Sequence, residues 1–144
     1  MLFSQQQLFS DNQAITATAA STNILDTLAA GTPYAAAAAV EKNLGKGVPV
    51  ALSVRVTEAF NTLTSLTVTL EVDNDVAFGS AKVVRTQTIA LAALILGTDL
   101  DFRYVPKGAD ERYMRLNYTV TGTNPTLGKI HAGVVCGHDD RFGA

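Results

Sequence analysis

The residue types that could do chemistry gather near the end of the chain, at His131, Cys136, His138, Asp139 and Asp140. Imidazole, thiolate and carboxylate groups are the ligands of zinc sites, and a thiol beside an imidazole can act as a nucleophile. Either site requires these side chains to converge on one point. The odd spacing of His131 and Cys136 places them on opposite faces of a strand, and the other three lie in a terminal tail. We therefore expect an exposed His131, a core Cys136 and a solvated tail rather than a metal or catalytic site.

Three other polar clusters are better explained as turns. Residues 73–75 (Asp-Asn-Asp) lack the downstream ligands of a calcium loop, since residues 76–79 are Val-Ala-Phe-Gly. Residues 45–47 (Gly-Lys-Gly) lack the pattern of a phosphate-binding loop, and residues 110–112 (Asp-Glu-Arg) are expected to form a turn with a surface ion pair. No catalytic, cofactor-binding or metal-ligating residue is predicted, and the chain is not expected to be an enzyme.

The bulk composition favours a single domain that meets other proteins. The chain has 144 residues, of which 47% are hydrophobic and 17% are charged, against a usual charged share of about 25%. The net charge is −2 and the basic residues are dispersed, so we do not expect nucleic acid as a partner. The longest strongly apolar stretch, residues 89–96, is too short to span a bilayer, so we do not expect a membrane as a partner either. A polar but weakly charged surface is cheap to desolvate, so it suits burial against a partner. One cysteine, with no signal peptide apparent, indicates synthesis in a reducing cytoplasm.

Period-two alternation of aliphatic and polar residues dominates the chain and predicts half-buried strands. The clearest cases are residues 50–57, 66–73, 112–121 and 129–136; weaker ones are residues 13–19, 23–27, 82–90 and 100–105. Residues 35–39, all alanine, and residues 90–96 could each form a short helical turn, and the alanine run could equally be an extended arm. About eight strands joined by turns, without strand–helix alternation, predict an all-β antiparallel jelly roll or β-sandwich spanning residues 1–144.

Large apolar residues in the first part of the chain are candidate partner contacts. Phe3, Leu8 and Phe9 precede the first strand expected from the pattern, and Tyr34 lies in the long link before residue 48. They either pack on the body or anchor an interface, because buried aromatic anchors carry much of the binding free energy at protein interfaces. The first alternative gives a domain without extensions, and the second gives an N-terminal arm over residues 1–12.

Five segments of the chain together resemble one family. They are residues 9–23 (FSDNQAITATAASTN), 31–34 (GTPY), 44–47 (LGKG), 60–68 (FNTLTSLTV) and 111–123 (ERYMRLNYTVTGT). Their order and spacing are similar to those of the capsid cement proteins of Bordetella-phage-type short-tailed phages. The charged ending at residues 138–142 departs from the family pattern, so it carries no role over from the family.

The resemblance implies a capsid cement, or decoration, protein with a jelly-roll fold and without catalysis or cofactor. Such a protein would lie on the outer capsid surface of the virion and bridge neighbouring copies of the major capsid protein, acting as a homodimer. It would be made in the cytoplasm of the bacterial host. Two other classes stay open: a carbohydrate-binding β-sandwich, which the lack of Trp and the presence of only four Tyr disfavour, and a phage tail or head-completion protein.

Overall fold

Aliphatic residues at alternate positions bury one face of each long strand, as the pattern predicts. The computed structural model describes residues 2–138. Within them, the strands are β1 Phe3–Ala14, β2 Ala19–Ala20, β3 Leu25–Asp26, β4 Leu52–Glu58, β5 Leu63–Asp73, β6 Lys82–Ala90, β7 Tyr113–Gly122 and β8 Lys129–Val135. A single 3-10 turn, Leu91–Ala93, follows β6, and no helix of the described residues has the length and apolar character needed to cross a membrane.

The strands form two antiparallel sheets. One has the order β1-β8-β4, and the other has the order β2-β7-β5-β6, with β3 also pairing with β7. Residues 98–105 run beside the free edge of β4, where Leu52 N donates to Arg103 O at 2.8 Å and Leu100 N donates to Val54 O at 2.8 Å. With this segment in the fourth position, the two sheets have the strand order of a jelly roll. The predicted all-β sandwich is therefore confirmed.

The core lies between the sheets. Val54, Val56 and Ile130 of the first sheet and Leu66, Leu70 and Leu116 of the second are at most 1% exposed and belong to one hydrophobic cluster. The largest fully buried side chain is Tyr118 on β7. Its hydroxyl lies 2.8 Å from Ser10 Oγ, which itself donates to Gln13 Oε1 at 2.7 Å, so Tyr118 is the donor to Ser10.

The N-terminal segment is an edge strand of the body. Strand β1 begins at Phe3 and pairs with β8, but Phe3 lies opposite Val135 while Leu8 already lies opposite Gly133, so the register is broken by bulges. Phe9 is 1% exposed in the main core, and Leu8 is 9% exposed. Residues 3–12 thus pack on the body, which is the first of the two alternatives, rather than forming a separate arm. Met1 lies outside the described residues.

Three of the expected elements differ from the secondary structure that the structure shows. Residues 100–105, expected to be a strand, are irregular apart from an isolated bridge between Tyr104 and Ala51. Residues 35–39 form turns and bends, because five alanines between Gly31-Thr32-Pro33 and Val40 are too few to nucleate a stable helix. Residues 13–19, expected to be a strand, instead contain the end of β1 and the turn that leads to β2. The short helical turn expected within residues 90–96 is present as the 3-10 turn.

Candidate protein-contact face

The outward face of the five-stranded sheet carries a regular array of hydroxyl side chains. Strands β5, β6 and β7 lie side by side, and their registers place Thr67 opposite both Thr88 and Thr119. The neighbouring rows place Thr69 opposite Thr86 and Asn117, and Ser65 opposite Ala90 and Thr121. We call these positions the threonine face: Ser65, Thr67, Thr69, Thr86, Thr88, Ala90, Asn117, Thr119 and Thr121.

The core determines which residues point outward. Leu66, Val68 and Leu70 alternate with the face positions of β5 and are all 0% exposed. A shift of the register by one residue would turn these side chains to solvent, so burial specifies the pairing strongly. Every residue of the threonine face is half-buried or exposed. The threonine face is therefore the solvent side of a sheet whose opposite side packs into the hydrophobic core.

The threonine face has no ionisable group. Each hydroxyl can donate and accept a hydrogen bond, and each threonine adds a methyl group. Thr67 Oγ1 and Thr88 Oγ1 are 2.9 Å apart, and Thr69 Oγ1 has two acceptors within reach, Glu71 Oε1 at 3.3 Å and the carbonyl of Asn117 at 3.4 Å. Neighbouring strands are spaced about 4.8 Å apart and rows about 7 Å apart, so the hydroxyl groups form a closely spaced polar surface. Such a surface can be covered by another protein without removing a charge from water.

One end of the threonine face is bounded by a closed ion pair. Arg115 Nε donates to Glu71 Oε2 at 2.9 Å, and the side chains are only 22% and 10% exposed. The Arg115 guanidinium also lies 4.1 Å from the centre of the Phe78 ring. The two charges nearest the face thus compensate each other within the chain.

The predicted turn begins where β5 ends, at Asp73, and residues 74–75 bend away from the strand. Asp73, which is 4% exposed, accepts hydrogen bonds from Asp75 N and Ser80 N, each at 2.9 Å. These backbone donors hold the pKa of Asp73 below its ordinary value, with the Asp75 amide contributing most. The carboxylate therefore organises the connection between β5 and β6, which carries Phe78 to Arg115.

The sequence-predicted contact residues do not lie together. Phe3 packs its ring edge-on against His131 with centroids 4.5 Å apart. Leu8 and Phe9 are buried in the chain itself, so their side chains do not offer a surface to a partner in this structure. Tyr34 has a relative exposure of 103%. A partner-binding role for the four residues stays a prediction, and Tyr34 is the most accessible of them.

The histidines and the cysteine differ in part from expectation. Cys136 is exposed rather than in the core, because β8 ends one residue earlier at Val135. His131 is 19% exposed beneath Phe3, and its Nδ1 lies 3.3 Å from Asp11 Oδ1 without a hydrogen bond. His138 lies 2.7 Å from the carbonyl of Arg103. Within residues 2–138 no three His, Cys, Asp or Glu side chains gather as metal ligands; Asp139 and Asp140 lie outside this range.

The threonine face was not predicted from the sequence, although the sequence contains a pattern that indicates it. The three adjacent strands each carry a Thr-x-Thr motif, at residues 67–69, 86–88 and 119–121. Alternation shows that both threonines of one motif share a face. Which strands are neighbours depends on the topology, and only the structure supplies that.

Comparison with known proteins places the chain in a family. A search of curated proteins found no match. A family model described as Bbp16 matches residues 9–134, which is most of the chain and includes all three strands of the threonine face. The chain therefore belongs to the Bbp16 family, a Bordetella phage protein family, and is a phage-related protein.

Proposed function

We propose that this chain is a capsid cement protein, a structural virion protein that binds the outer surface of a phage head and bridges neighbouring major capsid proteins. The observation that carries the proposal is the uncharged threonine face on a chain of a phage protein family. The order and spacing of the resembling segments support the same function. The proposal involves no catalytic step and no cofactor.

The physical basis of the proposed function is multivalent attachment. A ligand that binds only the assembled shell stabilises it by its binding free energy at every occupied site. Modest affinity at each site then suffices, because contact with two subunits raises the effective concentration at the second. A two-sheet body with its hydrophobic core between the sheets is well suited to hold two subunits at a defined distance. In our proposal the threonine face is one of the contacting surfaces.

Co-sedimentation with empty capsids of the matching phage tests the proposal. We expect the protein to pellet with capsids at a fixed ratio to the major capsid protein, and the decorated capsids to resist heat better than bare ones. We further propose that the protein acts as a homodimer, which sedimentation velocity of the free protein tests. Protein that stays in the supernatant at saturating concentration would rule out the cement function and favour a tail component or a carbohydrate-binding module.

A further inference from the structure

Strand β6 has one open edge. It pairs with β5 from Lys82 to Ala90 with a single register shift, and within residues 2–138 no strand and no backbone hydrogen bond lies on its other side. The outer edge of β1 is different, since bulges interrupt it and Asn23 N donates to Phe9 O there at 2.9 Å. A long edge with unpaired N–H and C=O groups is a template for a further strand.

Two polar side chains of β6 point inward at this edge. Arg85 lies opposite Leu70 and Gln87 lies opposite Val68, and both of these β5 residues are core residues with 0% exposure. An inward-pointing charge at a sheet edge hinders the addition of an arbitrary strand, because that strand would bury an unmatched side chain against it. The edge of β6 therefore selects a strand that carries a matching group.

Arg85 and Gln87 have complementary hydrogen-bonding needs. Gln87 Oε1 is buried and has no hydrogen-bond partner in the described chain. Arg85 Nη2 donates to Asp101 Oδ2 at 2.8 Å, and the guanidinium lies 5.4 Å from the centre of the Phe102 ring. Because a guanidinium has five N–H donors, Arg85 keeps donors that Asp101 does not use. A second strand with the same residues in the reverse direction would place donor beside acceptor twice.

A second copy of β6 meets this requirement in one register. A two-fold axis perpendicular to the sheet makes the two strands antiparallel, keeps their inward faces on the same side and sets one residue opposite itself. With Thr86 on the axis, Arg85 of each copy lies opposite Gln87 of the other. Thr86 is also the midpoint of the strand Lys82–Ala90, so this register gives the greatest overlap.

The other registers match less well. An axis at Gln87 sets Arg85 opposite Ile89, which is 6% exposed and offers no acceptor. An axis at Arg85 sets two guanidinium groups opposite each other, and like charges in that position destabilise a sheet. Registers between these would set inward side chains opposite outward ones, which the alternation of a strand does not allow.

We infer that two copies of this chain join through β6, antiparallel, with Thr86 on the two-fold axis. The inference rests on the homodimer of the proposed function and adds to it the interface and the register. Through this pairing the two five-stranded sheets become one continuous sheet, and the two threonine faces become one surface. Each half presents the same groups, which suits a bridge between two like subunits of a shell.

Opposite charges at position 86 test the pairing by sedimentation velocity. Thr86 is exposed, so a substitution there leaves the core in place. We expect Thr86→Lys alone and Thr86→Glu alone to be monomeric, because each sets like charges face to face, and an equimolar mixture of the two to form dimers.

The matched control is Thr119→Lys, which adds the same charge to the threonine face two strands away from the edge. It should dimerise as the wild type does. Melting curves and the far-ultraviolet circular dichroism of all these variants should match those of the wild type.

Disulfide cross-linking with oxidised glutathione tests the register in a Cys136→Ser background. A disulfide joins Cα atoms that are about 4.4–6.8 Å apart. The thiols of Thr86→Cys would lie opposite each other, whereas those of Thr88→Cys would be displaced by four residues, or about 13 Å, along the strands. We expect at least about tenfold more cross-linked dimer from Thr86→Cys than from Thr88→Cys.

A mixture of the two charged variants that stays monomeric, or equal cross-linking at both positions, would overturn the inference. Dimers that persist in both single charged variants would assign dimerisation to another surface, so the homodimer would stand and this interface would not. A wild type that is monomeric at every concentration would overturn the homodimer and the interface together. Binding to empty capsids is measured separately, so the cement function stands or falls independently of these results.

Discussion

Thr67 and Thr88 face each other across strands β5 and β6 and share a hydrogen bond of 2.9 Å between their hydroxyl oxygens. Cross-strand threonine pairs of this kind stabilise a sheet modestly. Here the pair also lies in the middle row of the threonine face, with Thr119 as the third member. The relationship shows how register within one chain produces a surface rich in hydroxyl groups and without an ionisable side chain.

A charge placed in the middle of the threonine face should prevent binding without unfolding the protein. We expect Thr67→Lys to weaken capsid binding by at least about tenfold, because an ammonium group without a partner would have to be desolvated. The free energy of unfolding should change by less than about 1 kcal/mol, since Thr67 is on the solvent side of its strand. Capsid co-sedimentation and urea denaturation measure the two effects.

The matched control for that substitution is Thr16→Lys, which adds the same charge at an exposed turn between β1 and β2. It should bind as the wild type does. Equal loss of binding in both variants would mean that net charge, rather than the threonine face, governs attachment.

The Glu71–Arg115 pair should contribute more to stability than the fully surface pairs. Arg115→Ala leaves the Glu71 carboxylate, which is 10% exposed, without its cationic partner and with only the Thr69 hydroxyl at 3.3 Å, and we expect a loss of about 2 kcal/mol in urea unfolding. Lys82→Ala breaks the pair with Asp110, whose side chains are 45% and 44% exposed, and should cost much less. Equal costs would show that the burial of the Glu71–Arg115 pair adds nothing to its contribution to stability.

The buried Ser10–Tyr118 hydrogen bond predicts an asymmetry between two substitutions. Ser10→Ala leaves the fully buried Tyr118 hydroxyl without its acceptor and should destabilise the fold by about 1–3 kcal/mol. Tyr118→Phe leaves Ser10 still bonded to Gln13 and should cost about 1 kcal/mol or less. A thermodynamic double-mutant cycle by chemical denaturation measures both; a larger cost for Tyr118→Phe would contradict the assignment of the donor.

Stability should fall in acid partly through Asp26. Its hydrogen bonds with Arg112 lower the pKa of Asp26 from 3.8 to about 2. A carboxyl group whose pKa is lower in the folded state contributes stability above its unfolded pKa and loses that contribution as the pH falls through the folded one. The melting temperature should therefore drop between about pH 4 and pH 2, and Asp26→Asn should drop less steeply over that interval. Parallel curves for the two proteins would show that the Arg112 pair is not formed in solution.

The alternation of apolar and polar residues was sufficient to predict the strands that have one buried and one exposed face. Leu66, Val68 and Leu70 alternate with polar residues, so β5 and its neighbour β7 were predicted with small errors at their ends. Strand β1 was missed over most of its length because Gln5, Gln6 and Gln7 break the alternation, and bulges replace a regular register there.

The contact surfaces were predictable only in part. Tyr34 stood out as a large aromatic residue in a long link, and the structure leaves it fully exposed. Phe9 is also a large aromatic residue outside the strands that the pattern predicted, yet its side chain fills the core. Whether an apolar residue near a terminus is buried or exposed depends on the strand that it joins. The threonine face required the pairing of β5 with both β6 and β7, which strand patterns alone do not encode.

The most direct measurement is a cryo-electron microscopy reconstruction of matching capsids saturated with the protein. We expect density for the sandwich on the outside of the shell, spanning two major capsid proteins, with Thr67 and its neighbours against one of them. Density with the threonine face turned toward solvent, or capsids that remain bare at saturating protein, would contradict it.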